Sequence, residues 1–180
     1  MSPTALFGVQ FTFSLVLFGL VAKWYIAPPL ARLPVSQALV PLFLTHALRY
    51  LPSSAFAPGQ VGAAVPMDAM ATIALGDLAS AILALIAAVF LRYQWSGAIG
   101  LAWIVNALTA ADWLYAGFVA ASHQLVTYPM GGNWYIINYY VPLIGVVHVM
   151  IFARLLRERS RRTASYLLNM ESRGTPKPLR

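Results

Sequence analysis

Five apolar stretches, separated by short breaks, limit what this chain can fold into. They run over residues 5–27, 35–51, 66–92, 97–121 and 134–156. About 20 apolar residues in an α-helix cross the roughly 30 Å hydrocarbon core of a bilayer, because each residue adds about 1.5 Å. Charged residues make up only 9% of the chain, against about 25% in a soluble domain. The sequence therefore predicts an all-α integral membrane protein, a bundle of five transmembrane helices.

The second stretch is the weakest of the five. It is short for a span and carries His46 and Arg49. The segment after it, Pro52 to Pro66, is rich in Pro, Gly and Ser and has no charge, which is typical of a loop. We predict a five-helix domain over residues 1–157 and a basic tail over residues 158–180.

The basic residues predict the orientation of the bundle. With five spans, Lys23, Arg32, Arg92 and the run Arg154–Arg162 all fall on one side, and only Arg49 lies toward the other. Positive residues mark the cytoplasmic side, so the N terminus is predicted outside and the C terminus in the cytoplasm. Aromatic residues fall near the predicted span ends, as in membrane-interface belts. They are Trp24, Tyr25, Tyr93, Trp95, Tyr128, Trp134 and Tyr135.

The same charge pattern suggests partners and a location. A basic run directly after an apolar segment favours a cytoplasmic flank that attracts anionic lipid headgroups at Arg154–Arg162, rather than a nucleic-acid site. We expect an integral protein of the cytoplasmic (inner) membrane of a bacterium. The chain has no cysteine, which excludes disulfides, thiolate metal sites and cysteine nucleophiles.

Ionisable residues inside the predicted spans are the main candidates for function. Each costs about 2.5–3.5 kcal/mol on insertion scales, so it is kept for a reason. Counting residues from the cytoplasmic end of each span at about 1.5 Å each sorts the candidates into two layers. Arg49, Asp77 and Asp112 share an outer layer, and a second layer nearer the bilayer centre holds His46, Asn106 and His148.

Local spacing supports a shared polar site. His46 and Arg49 lie at i, i+3 and so share a helix face. Pro142 removes a backbone donor and frees the carbonyl of Asn138, and Gly145 permits close approach of another group. We predict Asp77, Asp112, His46 and His148 as acid–base groups. The predicted ligand-binding residues are Arg49, Asn106, Trp113 and Tyr139.

The function favoured by this pattern is binding of a hydrophobic or lipid-like small molecule inside the bundle. Such pockets are mostly apolar with a few placed polar groups. A carboxyl or an imidazole there is able to move a proton on the bound molecule, and Trp113 or Tyr139 to stabilise a cation. Whether the protein only binds the molecule or also converts it stays open at this point.

Several other functions remain open. His46 and His148 on different spans are suited to bis-histidine haem b, with Arg49 at a propionate, or to zinc with an aspartate. The polar layers also suit proton or ion conduction. A further alternative is a non-catalytic subunit or assembly factor of a membrane complex, or a homo-oligomer. The outer layer is also explained by an ion pair that only holds helices together.

Overall fold

The computed structural model describes residues 1–174, and these form helices joined by loops. The part of the predicted tail that contains Lys177 and Arg180 lies outside the described residues. The helices, in chain order, are α1 Pro3–Val21, a π-helical segment Ala22–Ile26, α2 Ala27–Arg32, α3 Val35–Ala47, a 3₁₀ segment Leu48–Phe56, α4 Met67–Arg92, α5 Ala98–Ser122, a 3₁₀ turn Leu125–Thr127, α6 Asn133–Tyr135, a π-helical segment Ile136–Tyr140 and α7 Val141–Gly174.

Four continuous helices among the described residues are long and apolar enough to cross a membrane. They are Pro3–Arg32, Met67–Arg92, Ala98–Ser122 and Asn133–Ser165. This confirms the all-helical membrane class predicted from the apolar stretches. α7 continues through the basic run Arg154–Arg162 to Gly174.

The second predicted span has a different form. Its α-helix, α3, has only 13 residues and ends at Ala47, and the chain continues as the 3₁₀ segment Leu48–Phe56. Pro52 lies inside that segment. Proline lacks an N–H and its ring clashes with the carbonyl four residues earlier, here that of Leu48. The tighter 3₁₀ turn therefore begins where the α-helical hydrogen bonds fail.

Both π-helical segments lie next to prolines. Val141 donates its N–H to the carbonyl of Ile136, five residues back, and Pro142 follows at once. Ala27 donates in the same way to Ala22, just before Pro28. Pro142, predicted to free a carbonyl, is thus accompanied by a wider helical turn, as is Pro28. Such a turn contains one extra residue and rotates the residues on either side relative to each other.

Two apolar clusters define the two ends of the bundle. The first contains Leu39, Leu91, Ala98 and Leu155, near the chain turns that follow Arg32 and Arg92. At this basic end, Arg154 donates from Nη2 to the carbonyl of Leu33. The second cluster unites the loops at the opposite end, the loop end. It contains Ala55, Val65, Ala69, Met70, Val119, Leu125 and Met130.

Helix packing leaves a gap on one side of the bundle. α4 lies between α3 and α5, and α7 contacts α1, α3 and α5. α1 packs mainly on α7 and the segment Ile136–Tyr140. The space toward the loop end between α1, α5 and the last helix is the cavity described below.

Candidate functional site

Arg49 is the centre of the outer polar layer. It lies in the 3₁₀ segment after α3, and its residue is only 1% exposed. Its Nε and Nη2 donate to Oδ1 of Asp77 at 2.8 and 2.5 Å. Its Nη1 donates to the backbone carbonyl of Thr109 on α5 at 2.7 Å. One guanidinium therefore joins the second, third and fourth predicted spans.

Asp112 completes this layer from α5. Its Oδ2 accepts from Arg49 Nη2 at 2.6 Å and from the Ser80 hydroxyl at 2.9 Å. Gly76 on α4 faces the same carboxylate, and a Cβ at that position would overlap Oδ1 of Asp112. The three residues that the depth count put in one layer thus form one cluster, with a formal charge of −1.

The second layer consists of two histidines and an asparagine. His148 Nδ1 lies 2.9 Å from Oδ1 of Asn106, and the His46 and His148 ring centroids are 4.2 Å apart. Both nitrogens of His46 and Nε2 of His148 are buried without a hydrogen-bond partner among the described residues. These residues therefore lie together, as the depth count also indicated.

The histidine geometry does not suit the haem hypothesis. A bis-histidine haem places the iron and its porphyrin plane between the two imidazoles. Ring centroids 4.2 Å apart are in van der Waals contact, so no porphyrin fits between His46 and His148. Among residues with described side chains, no three His, Cys, Asp or Glu form a group that holds a metal ion. Arg49 is already engaged by carboxylates rather than free for a propionate.

A cavity of about 740 Å³ opens beside the outer layer, toward the loop end. Arg49 and Asp77 lie at its polar part, and most of its wall is apolar. α1 contributes Phe7 and Phe11, and α5 contributes a small-residue wall that includes Gly117. Further lining residues are Pro52, Met70, Ile73, Ala116, Ala120, Leu125, Met130, Asn133, Ile136, Ile137, Tyr140 and Ile144.

Only some of the predicted site residues line the cavity, namely Arg49, Asp77 and Trp113. His46, Asn106 and His148 are buried in helix contacts outside it. Asp112 also lies outside the cavity, but its side chain is 25% exposed.

Tyr139 is placed differently from the prediction. It is half exposed and stacks on Tyr135, with ring centroids 6.1 Å apart. Its neighbour Tyr140 lines the cavity and donates its hydroxyl to the carbonyl of Thr45 at 2.8 Å. Adjacent residues of a helix point in directions about 100° apart, so Tyr140 faces the cavity while Tyr139 faces the outside of the bundle.

Trp113 fills the space predicted at Gly145. Its ring carbon Cζ2 would lie 3.0 Å from a Cβ at Gly145, and its Nε1 donates to the carbonyl of Val141 at 3.3 Å. The absent side chain at Gly145 thus lets the indole pack on the last helix while it lines the cavity.

Sequence reasoning missed Asn133 at the start of the last helix. Asn133 lines the cavity and is buried, and its Nδ2 has no hydrogen-bond partner among the described residues. Its only local signal was an asparagine beside the turn Gly131–Gly132, which predicts a loop rather than a site.

Comparison with known proteins gives a family. Residues 6–156 match the family described as Domain of unknown function (DUF8737). No curated protein and no solved structure matches the chain. The matched residues include both polar layers and all five predicted spans from residue 6 onward.

Proposed function

This chain belongs to the family described as Domain of unknown function (DUF8737), and we propose that it binds a hydrophobic or lipid-like small molecule in its cavity. The observation that carries this proposal is a cavity of about 740 Å³ whose apolar wall meets Arg49 and Asp77. Small-molecule pockets measure about 300–1,000 Å³ and combine apolar walls with a few polar groups. The volume and the lining both have this character.

The wall of the cavity supports entry from the bilayer. Phe7 and Phe11 on α1 and Gly117 on α5 face the cavity from helices that pack mainly on other neighbours. A molecule dissolved in the membrane reaches the cavity between these two helices, tail outward, without crossing the loops. We place this entrance in the outer half of the bilayer, because the loop end lies opposite the basic end.

We infer five crossings, with the segment Val35–Phe56 as the second. The basic side chains of Arg32, Arg92 and Arg154 lie near one end of the bundle, and the loops that meet around Met130 lie at the other. The positive-inside rule then puts the N terminus outside and the C terminus in the cytoplasm of a bacterial cell. α3 and its 3₁₀ extension together are long enough for this crossing.

We propose Asp77 as the group that would carry out acid–base conversion of the bound molecule. Asp77 lines the cavity, whereas Asp112, His46 and His148 are turned toward other helices. A general acid or base must reach the proton that it transfers directly or through one water molecule. Asp77 is therefore the one of the four predicted acid–base groups that has access to a molecule in the cavity.

The test compares two phenylalanine substitutions on the same helix. Gly117→Phe fills the cavity from α5, and a Cβ at Gly117 meets nothing within 4 Å. Gly100→Phe is the matched control, because Gly100 is equally open but lies outside the cavity. Apolar molecules that co-purify with the wild-type protein are identified by native mass spectrometry and solvent extraction.

We expect wild type and Gly100→Phe to retain the same bound species, and Gly117→Phe to lose at least nine-tenths of it. Equal amounts in both variants, with both folded, would contradict binding in this cavity. An absorption spectrum of the same samples checks for haem.

A further inference from the structure

We propose that the molecule bound in this cavity carries a protonated amine at its polar end and places it against Asp77. This inference rests on the proposed function and specifies its ligand class. It starts from the charges in the outer layer: two carboxylates, of Asp77 and Asp112, face the single guanidinium of Arg49. Their formal sum is −1, and one further positive charge balances it.

Each of the two carboxylates accepts two hydrogen bonds at a single oxygen. Asp112 accepts from Arg49 and from the Ser80 hydroxyl at Oδ2, and Asp77 accepts twice from Arg49 at Oδ1. Among the described residues no donor reaches the second oxygen of either carboxylate. The side chain of Asp112 is 25% exposed, but it lies outside the cavity and its Oδ1 faces Gly76, whereas Asp77 lines the cavity. Oδ2 of Asp77 is therefore the open acceptor on the cavity side of the cluster.

Access to that acceptor comes from the cavity. Asp77 lines the cavity, and its side chain is 12% exposed, whereas the side chain of Arg49 is only 1% exposed. Four of the five guanidinium N–H groups of Arg49 are already donated. A ligand headgroup therefore meets an acceptor with negative charge more readily than a donor, which favours an N⁺–H donor over a carboxylate or phosphate.

The rest of the cavity suits the hydrocarbon part of such a molecule. Phe7 on α1 and Ile73 on α4 belong to its apolar wall, so the tail is removed from polar contacts while the amine reaches Asp77.

The experiment uses three amphiphiles with the same tail: dodecylamine, dodecanol and dodecanoate. Each is titrated at pH 7 into the full-length protein in an uncharged detergent, and bound ligand is counted by native mass spectrometry. We expect dodecylamine to bind at least tenfold more tightly than dodecanol, and dodecanoate to bind least. Non-specific attraction predicts the opposite order for the two ions, because the chain has a net charge of +7.

Two variants test whether Asp77 is the residue that binds the amine. Asp77→Asn is expected to weaken dodecylamine binding at least tenfold and to leave dodecanol within about twofold. The matched control is Asp68→Asn, an exposed aspartate in the first turn of the same helix, which should change neither. If Asp77→Asn does not fold, the ligand order in the wild-type protein still decides the question.

The outcomes separate this inference from the proposed function. Equal binding of the three amphiphiles, abolished by Gly117→Phe, overturns the amine and leaves the binding cavity standing. Tightest binding of dodecanoate overturns it as well. Binding that Gly117→Phe does not change contradicts both. Tight binding of dodecylamine that both Asp77→Asn and Gly117→Phe remove supports both.

Discussion

Gly76 on α4 lies directly against the carboxylate of Asp112 on α5, where a Cβ would overlap Oδ1. The other oxygen of that carboxylate, Oδ2, accepts hydrogen bonds from Arg49 and Ser80. It therefore has little freedom to move away without giving up a hydrogen bond. The absent side chain at Gly76 is a condition for the polar cluster to form between α4 and α5.

Gly76→Ala should destabilise the protein by about 1–3 kcal/mol, the usual cost of inserting a methyl group into a packed site. The matched control is Gly100→Ala on α5, where a Cβ meets nothing within 4 Å. There the better helix propensity of alanine makes the change neutral or stabilising by up to about 1 kcal/mol. Unfolding titrations in SDS measure both. Equal stability of the two variants would show that the carboxylate is not confined.

Arg49 and Asp77 should be strongly coupled in stability. Removing one partner of a buried ion pair costs about 3–5 kcal/mol, because the other charge stays buried without compensation. We expect Arg49→Met and Asp77→Leu each to lose stability in that range, and the double variant to lose clearly less than their sum. The double variant still loses some stability, because the carboxylate of Asp112 then has no guanidinium beside it.

A double-mutant cycle measures this coupling, and the pair Arg49→Met with Asp68→Asn is its control. Asp68 is exposed in the first turn of α4, so these two changes should add within about 0.5 kcal/mol. Additivity of the Arg49 and Asp77 changes would mean that the hydrogen bonds at 2.8 and 2.5 Å contribute no joint stability.

Asn106 and His148 allow a test of the inner layer. Asn106→Leu leaves Nδ1 of His148 buried without its partner at 2.9 Å, which should cost about 1–3 kcal/mol. Replacing both, as Asn106→Leu with His148→Leu, removes the unpaired group and should cost less than the sum of the single changes. Gln37→Leu, at an exposed position of α3, is the control for adding leucine. Strict additivity would argue against a hydrogen bond between these side chains.

The sequence predicts depth in this bundle better than it predicts which side chains reach the cavity. Counting a fixed rise per residue put Arg49, Asp77 and Asp112 in one layer, and the structure joins them, because Arg49 follows α3 by only two residues. The prediction of Tyr139 rests on residue type alone, and the structure brings its neighbour Tyr140 to the cavity instead. Pro142 predicts a disturbed helix before it, but it does not specify the π-helical turn found there.

The cavity itself could not be predicted from the sequence. Gln10 and Ser14 mark the face of α1 that meets the bundle, but they give no sign that Phe7, on the same helix, borders a cavity. The gap between α1 and α5 depends on which helices pack together. That is a property of the whole bundle rather than of any one segment.

The five-crossing orientation can be tested directly because the natural chain has no cysteine. Single cysteines are placed at Ala31, Ala63, Ser96 and Ser160, which are all exposed, and probed in intact cells with a membrane-impermeant maleimide. We expect labelling of Ala63→Cys only, and labelling of the other three after permeabilisation, since they lie near the basic end. The unaltered chain is the blank. Equal labelling of Ala31→Cys and Ala63→Cys would show that Val35–Phe56 does not cross the membrane. Labelling of Ser96→Cys in intact cells would show that the orientation is opposite to the one proposed.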